Sequence, residues 1–487
     1  MKIAEFISRI VARFGFTPTG DQQQALETFG RFLADRDAHS VMILRGSAGT
    51  GKTSLAAAMV RTLYSLGQQL VLMAPTGRAA KVFAQSSGLP AFTIHRTIYR
   101  EKSFSGLDGS FNINYNKHRN ALFVVDEASM ISSQPGMDSS FGSGSLLDDL
   151  MQFVYSGDNC RLLLIGDKAQ LPPIGEEESP ALTAEVLEGY NMHVYECDLN
   201  EVLRQQSRSG ILYNATVIRN MITHDEATHL PLIRFHGFAD IVMMPGNELV
   251  ESIATSYDTV GMDDTIVITR SNKRANIYNQ GIRSQVLDRE ANLCGGDMLM
   301  VVKNKYFSNN TAQTREGTAA QTGAPNKSIS FIANGDRCQV RRVRHVTELF
   351  GFHFADVMLE FPDYDHYELE TTVLLDTLTS ESPALTREEN ERLFDKVMAD
   401  YTDIPLKADR MKAIRQDKYY NALQIKFAYA VTCHKAQGGQ WAHVYVDQGY
   451  MTDDMLTPDY IHWLYTAFTR ATGKLFLVNW PKTQIEQ

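Results

Sequence analysis

The chain has 487 residues, 44% of them hydrophobic and 21% charged, with a formal net charge of −10. At roughly 150 residues per domain this length predicts about three domains, and the composition excludes a disordered or collagen-like chain. A negative total argues at face value against a polyanion partner. The charge is local, however: Asp356–Asp400 holds 13 acidic and 3 basic residues, a net of −10, so the rest of the chain sums to zero and excludes no partner. The five cysteines (Cys160, Cys197, Cys294, Cys338, Cys433) contain no C-x-x-C pair, which leaves a zinc site or disulfide framework without support and suits a reducing compartment. No apolar stretch approaches the ~20 residues of a membrane helix. The N-terminal run M-K-I-A-E-F-I-S-R-I, interrupted by Glu5 and Arg9, predicts an amphipathic helix rather than a signal peptide. A cytoplasmic protein with no membrane partner is expected.

In chain order, the first 230 residues alternate strand and helix. Continuous four-residue apolar runs at Val41–Leu44, Leu70–Met73, Leu122–Val125 and Leu162–Ile165 predict strands of a parallel sheet covered on both faces. Helical stretches at Ser54–Ser65 and Arg78–Ala84 lie between them. A second series begins at Thr265 and resumes at Ile425–Thr432, Val444–Val446 and Leu475–Val478. Residues 294–423 differ: Gly-Asp pairs and β-branched runs predict short strands, 308–328 a loop, and the acidic segment 356–400 ends in a helix over Arg387–Tyr401. The fold class predicted is α/β, with two parallel-sheet units over 1–230 and over 231–293 with 424–487. A small β-rich insertion, 294–423, splits the second.

The first strand runs into G-S-A-G-T-G-K-T, from Gly46 through Ser47, Ala48, Gly49, Thr50, Gly51 and Lys52 to Thr53, and then into a helix. This is G-x-x-x-x-G-K-[ST] in its required setting. Backbone N–H groups of such a loop curl around a β-phosphate at the positive end of the helix, Lys52 reaches the β- and γ-oxygens, and the Thr53 hydroxyl takes Mg²⁺. A-L-F-V-V-D-E supplies the other half: Asp126 to hold magnesium, directly or through water, and Glu127 to polarise the attacking water. NTP hydrolysis with ATP and Mg²⁺ is the predicted chemistry.

The next strand ends L-L-L-I-G-D-K-A-Q-L-P-P, and with it the chain resembles the superfamily 1 helicases of the RecD/Dda type, over about Phe16 to Leu477. The resemblance implies two RecA-like domains in tandem, with a hairpin inserted in the first and a β-barrel-like insertion in the second. It makes F-T-P-T-G-D-Q-Q-Q-A an adenine-reading motif, with Gln22 as the contact by its spacing to Ala25 and Gln23 or Gln24 as alternatives. Gln170 would sense the γ-phosphate. Arg204 in L-N-E-V-L-R-Q and Arg470 in Y-T-A-F-T-R-A would face it from the two domains, spreading transition-state charge over their N–H donors.

For nucleic acid, the resemblance assigns Pro75 and Thr76 in A-P-T-G-R-A-A, and Thr93 and His95 in T-I-H-R, to the strand. In Y-A-V-T-C-H-K-A-Q-G-G, Thr432 and His434 would face the strand while Gln437 and Gly438 lie nearer the nucleotide. The family usually has an acidic residue soon after that glycine; here Gln440 cannot make a charged bond to ribose. The stretch 99–120 alternates around an L-D-G turn, a hairpin signal, at the place of the group's duplex-splitting wedge. Phe104 or Phe111 would stack on the last base pair, or the aromatics pack on the hairpin's own base. Arg337, Arg341, Arg342 and Arg344 would clamp the strand or pair with the acidic segment after them. The function expected is a monomeric ATP-dependent helicase moving 5′→3′ on single-stranded DNA and opening junctions with duplex; an RNA helicase, or a translocase that displaces proteins without unwinding, is the alternative.

Overall fold

The structure, a computed structural model, describes all residues except Met1, Ala38, 102–110, 136–141, 202–207, 224–228, 307–330 and Gln487. The chain packs into two compact units, Met1–Ala275 with Ala430–Gln487, and Asn276–Tyr429.

The first unit holds both α/β domains. Strands β1 (Ser40–Gly46), β2 (Gln69–Ala74) and β3 (Ala91–Thr93) are followed by the short pair β4 (Tyr99–Glu101) and β5 (Phe111–Ile113), then β6 (Ala121–Val125), β7 (Arg161–Gly166) and β8 (His193–Leu199). Six of them form a parallel sheet in the order β3-β2-β6-β7-β1-β8. The four apolar runs predicted as strands are β1, β2, β6 and β7, and β6 is buried at every position, as a strand covered on both faces must be. One covering layer comes from the N-terminal helix Ile3–Phe14, which buries Phe6, Ile7, Ile10 and Phe14 at helical spacing against Phe29, Leu55 and Met59. Each such side chain removed from water contributes about 1.5–3 kcal/mol. β4 and β5 pair antiparallel, Glu101 opposite Phe111, so the predicted hairpin is present at its base; its tip, Phe104 included, lies outside the described residues.

After β9 (Ile241–Met244) and β10 (Thr265–Thr269) the chain enters the second unit. There it forms β11 (Met298–Val301), β12 (Lys305–Tyr306), β13 (Phe331–Ile332), β14 (Arg337–Leu349), β15 (Phe352–Phe361), β16 (Tyr367–Leu374) and β17 (Leu423–Phe427). It returns with β18 (Ala430–Thr432), β19 (Trp441–Asp447) and β20 (Ala471–Val478), which join the second parallel sheet, ordered β18-β10-β19-β20-β9. The insertion is a closed barrel, β11-β14-β15-β16-β17.

Two details differ from the sequence expectation. Ile425–Thr432 is not one strand: β17 belongs to the barrel and β18 to the sheet, with Ala428–Tyr429 between them. Tyr429 is anchored in the second unit, its N–H donating to Asn279 (3.1 Å) and its hydroxyl to the fully buried Asp297 (2.8 Å). Asp297 also receives Arg283, Arg289 and the Cys294 N–H, so one carboxylate ties together the points where the chain enters and leaves the barrel. A buried charge persists only when paired this fully. The acidic segment, in turn, is barrel wall: it supplies most of β15, all of β16 and the helix Arg387–Asp400. Arg341 pairs with Glu360 and Arg344 with Glu370 (3.5 Å), so two arginines of the basic cluster are engaged by that segment. Among the described residues no helix is long and apolar enough to cross a membrane, and all five cysteines are free.

Candidate active site

The phosphate loop leaves β1 and turns into helix Lys52–Ser65. Gly49 and Gly51 have φ of 79° and 78°, the left-handed region that only glycine enters without strain. At Gly46 a Cβ would lie 2.8 Å from both Lys52 Cγ and Thr50 Oγ1, so the cradle admits no side chain there. The Ser47 carbonyl accepts from Lys52 Nζ (3.1 Å) and Thr50 Oγ1 (2.8 Å). Gln22 is the glutamine of its motif that faces the loop: its Nε2 donates to the Thr50 carbonyl (2.9 Å), while Oε1 accepts from Thr19 N–H (3.0 Å) in a capping box. Gln23 and Gln24 are exposed.

Asp126 and Glu127 follow β6 beside this loop. Asp126 is buried, and burial together with the Glu127 charge pushes its carboxyl up to about 7, against the pull of Lys52. Glu127 holds φ at 55°, a left-handed conformation costly for a non-glycine residue, and its N–H donates to Asp126 Oδ1 (2.9 Å). Glu127 Oε2 is a buried oxygen without a hydrogen-bond partner, and so is Gln170 Oε1. Buried carboxylate oxygens of this kind fit a divalent cation, and Thr53 and Asp126 could hold one. Among the described residues no group of three or more His, Cys, Asp or Glu forms a metal cluster. A cation here would therefore take further oxygens from nucleotide and water, the habit of Mg²⁺.

Residues 167–171, after β7, are held by the second α/β domain. Thr466 Oγ1 accepts from Leu171 N–H (2.7 Å), Gln437 Nε2 donates to the Leu171 carbonyl (2.6 Å), and His462 Nδ1 lies 3.0 Å from the Ala169 carbonyl. Tyr465 Oη donates to Asp167 Oδ2 (2.6 Å) and accepts from the Ala48 N–H of the phosphate loop (2.9 Å). Lys52 Nζ is 4.0 Å from the same Asp167 oxygen. Gln170 thus sits in a segment gripped on both sides by the partner domain.

Arg470 is buried, and its donors reach the Thr466 carbonyl (3.0 Å), the Gly439 carbonyl (3.2 Å) and Thr469 Oγ1 (3.1 Å), all within the second domain. Arg204 lies outside the described residues. An arginine that the motifs did not single out does reach the loop: Arg219, on helix Gly210–Thr223, donates to Ser47 Oγ (3.0 Å). Tyr465 stands in the quoted text Y-T-A-F-T-R, five residues before Arg470, and could have been found there; Arg219 carries no sequence signal.

The residues assigned to nucleic acid cluster at strand ends. Pro75 and Thr76 follow β2 and Thr93 ends β3, in neighbouring strands with Ala74 opposite Thr93. Thr76 caps helix Gly77–Ser87 by accepting from Ala79 N–H (3.2 Å), and Thr93 caps the next short helix through Arg96 N–H (3.3 Å). Both hydroxyls are therefore already acceptors. Burial pushes the His95 imidazole down to about 4, so at neutral pH it carries no charge for a phosphate. Thr432 ends β18, and His434 beyond it is exposed. Gly438, expected nearer the nucleotide, lies beside Thr76: a Cβ there would be 3.0 Å from Thr76 Oγ1. Arg78 reaches the second α/β domain, 4.6 Å over the Trp441 ring and donating to the Gln440 carbonyl. Phe111 is 6% exposed at the hairpin base, so it packs and is not free to stack on a base pair.

A phosphate loop, a strand-end Asp-Glu pair and a second parallel-sheet domain seated on the loop define a P-loop nucleoside triphosphatase with tandem RecA-like domains. Two family models match in order, an AAA domain over 19–224 and a UvrD-like helicase C-terminal domain over 427–478. The ATP-dependent RecD2 DNA helicase of Deinococcus radiodurans is 32% identical over 136 residues, 28% of this chain and 16% of that protein. The ATP-dependent DNA helicase dda of Enterobacteria phage T4 is 23% identical over 295 residues, 58% of this chain and 60% of that one, so the matches span less than two thirds of either helicase. A solved Bacteroides Pif1 helicase, in complex with ADP-AlF3 and ssDNA, is 13% identical with a TM-score of 0.46, covering 97% of this chain and 95% of its own. The chain is thus similar, over parts of its length, to ATP-dependent DNA helicases of the RecD2 and dda kind.

Proposed function

We propose that this chain hydrolyses ATP to move 5′→3′ along single-stranded DNA and to separate duplex at its junction with a single strand. The observation that carries the reading is the joint at 167–171, where the turn after β7 that would bear the γ-phosphate sensor Gln170 is bonded to the second domain through Thr466, Gln437, His462 and Tyr465. A change at the phosphates is thereby a change in how the two domains sit, which is what a translocating motor requires. The loop amides and Lys52 bind and orient the triphosphate, and Glu127 takes the proton of the attacking water. When bound, Mg²⁺ at Thr53 and Asp126 neutralises phosphate charge. Arg204 and Arg470 would then supply donors to the transferred phosphoryl group, Arg470 by exchanging backbone carbonyls for phosphate oxygens. Strand contacts fall to the Thr76 helix N-terminus, where N–H groups and the helix dipole favour phosphate, with Pro75, Thr93, His95, Thr432 and His434 beside it.

The hairpin is the part that separates unwinding from translocation. Because Glu101 and Phe111 face each other across β4 and β5, replacing residues 102–110 with an Asn-Gly turn preserves the base. The shortened chain is expected to lose strand separation on a forked duplex while keeping DNA-stimulated ATPase activity. Unwinding at the original rate would remove the wedge from the account.

A further inference from the structure

The Tyr465 hydroxyl has no packing reason to exist. Its helix, Pro458–Phe468, buries Leu464, Ala467 and Phe468 by apolar contact, and a phenylalanine would fill the same space. A hydroxyl at 1% exposure is costly unless fully bonded. This one is bonded on both sides, and both partners lie in the other α/β domain: it accepts from Ala48 N–H and donates to Asp167 Oδ2. Burial and the adjoining Asp167 carboxylate push the phenol well above its ordinary value, so it keeps the proton it donates. Ala48 lies inside the loop whose N–H groups curl around phosphate, and one N–H makes one strong hydrogen bond.

We infer that Tyr465 is a positioning residue whose hydroxyl competes with nucleotide phosphate for the Ala48 amide. The inference rests on the nucleotide reading of the loop and adds to it a specific opposition. Phosphate enters the cradle as Tyr465 withdraws, and its withdrawal frees Asp167 as well, the carboxylate 4.0 Å from Lys52. The remaining bonds of the joint, from Leu171 N–H to Thr466, from Gln437 to the Leu171 carbonyl and from His462 to the Ala169 carbonyl, do not involve the loop. They keep the helix attached to 167–171 while Tyr465 lets go, so phosphate arrival is transmitted to the second domain rather than lost as a detachment.

Tyr465→Phe keeps the ring and removes only the competing oxygen. With the full chain and a fluorescent methylanthraniloyl derivative of ADP as probe, the variant is expected to bind about two- to tenfold more tightly than the unaltered protein, the range of one net hydrogen bond. Equal or weaker binding by a variant with an unchanged melting profile would overturn the inference. Lys52→Ala, measured with the same probe, separates the two levels. If Lys52→Ala binds as the unaltered chain does, the loop is not the nucleotide site and the underlying reading fails with the inference. If Lys52→Ala loses the probe and Tyr465→Phe is unchanged, only the role of Tyr465 is wrong.

Discussion

Lys52→Ala is expected to abolish ATP hydrolysis, with a loss of about 10³-fold or more in phosphate release at saturating single-stranded DNA. The Lys52 ammonium is held between the Ser47 carbonyl at 3.1 Å and Asp167 at 4.0 Å, at the mouth of a cradle that a Cβ on Gly46 would fill. It is the loop side chain able to follow charge onto the β- and γ-oxygens. The substitution falls at the first residue of helix Lys52–Ser65, and alanine suits a helix, so the fold is expected to survive. Turnover retained by a folded Lys52→Ala chain would remove the ATP assignment altogether.

Glu127→Gln is expected to lower kcat by about 10²–10⁴-fold while leaving nucleotide affinity little changed. Glutamine has the shape of glutamate and can occupy the same left-handed backbone, so the comparison isolates the loss of a base. The carboxylate carries a buried oxygen with no partner, beside an Asp126 whose own carboxyl is pushed up to about 7. That unpartnered oxygen leaves the carboxylate uncommitted to the fold and open to a water. A single-turnover assay separates the effects: unchanged hydrolysis rates would assign the base to another group, and lost binding would make Glu127 a residue of the cradle.

Much of the site was legible because its chemistry is local in sequence. The phosphate loop needs strand, glycines, lysine and helix in an unbroken run, and Gly46–Thr53 carries them all. Asp126 and Glu127 end an apolar strand run, and the structure buries that strand at every position. The hairpin at 99–120 could be read from alternation, although which aromatic faces outward could not: Phe111 is buried by tertiary packing that alternation does not encode. The break at Ala428–Tyr429 was hidden for a similar reason. Ile425–Thr432 reads as one β-run, and it divides because Tyr429 reaches Asp297, far away in sequence. The acidity of 356–400 looked like a separate segment because barrel strands that carry paired carboxylates have a skewed composition; Glu360 and Glu370 lie on β15 and β16 against Arg341 and Arg344 of β14.

The contacts that join the two α/β domains were the least legible. Tyr465, Thr466 and His462 act through their placement on one helix over residues 167–171, and each alone is an ordinary side chain in an apolar helix. Arg219 reaches Ser47 across 172 positions of chain with no motif around it. Such pairings depend on how the two sheets meet, which periodicity does not carry. They are also where the mechanical part of the proposed function resides, since the bonds between Tyr465, Asp167 and Ala48 are what a phosphate would alter.

Strand displacement by the full chain on forked DNA duplexes, one carrying a single 5′ tail and the other a single 3′ tail, tests the central claim most directly. The account predicts ATP-dependent release of the complementary strand from the 5′-tailed substrate, none from the 3′-tailed one, and none from either with Lys52→Ala. Release from the 3′ tail alone, or no displacement from either fork by a chain that hydrolyses ATP, would contradict it.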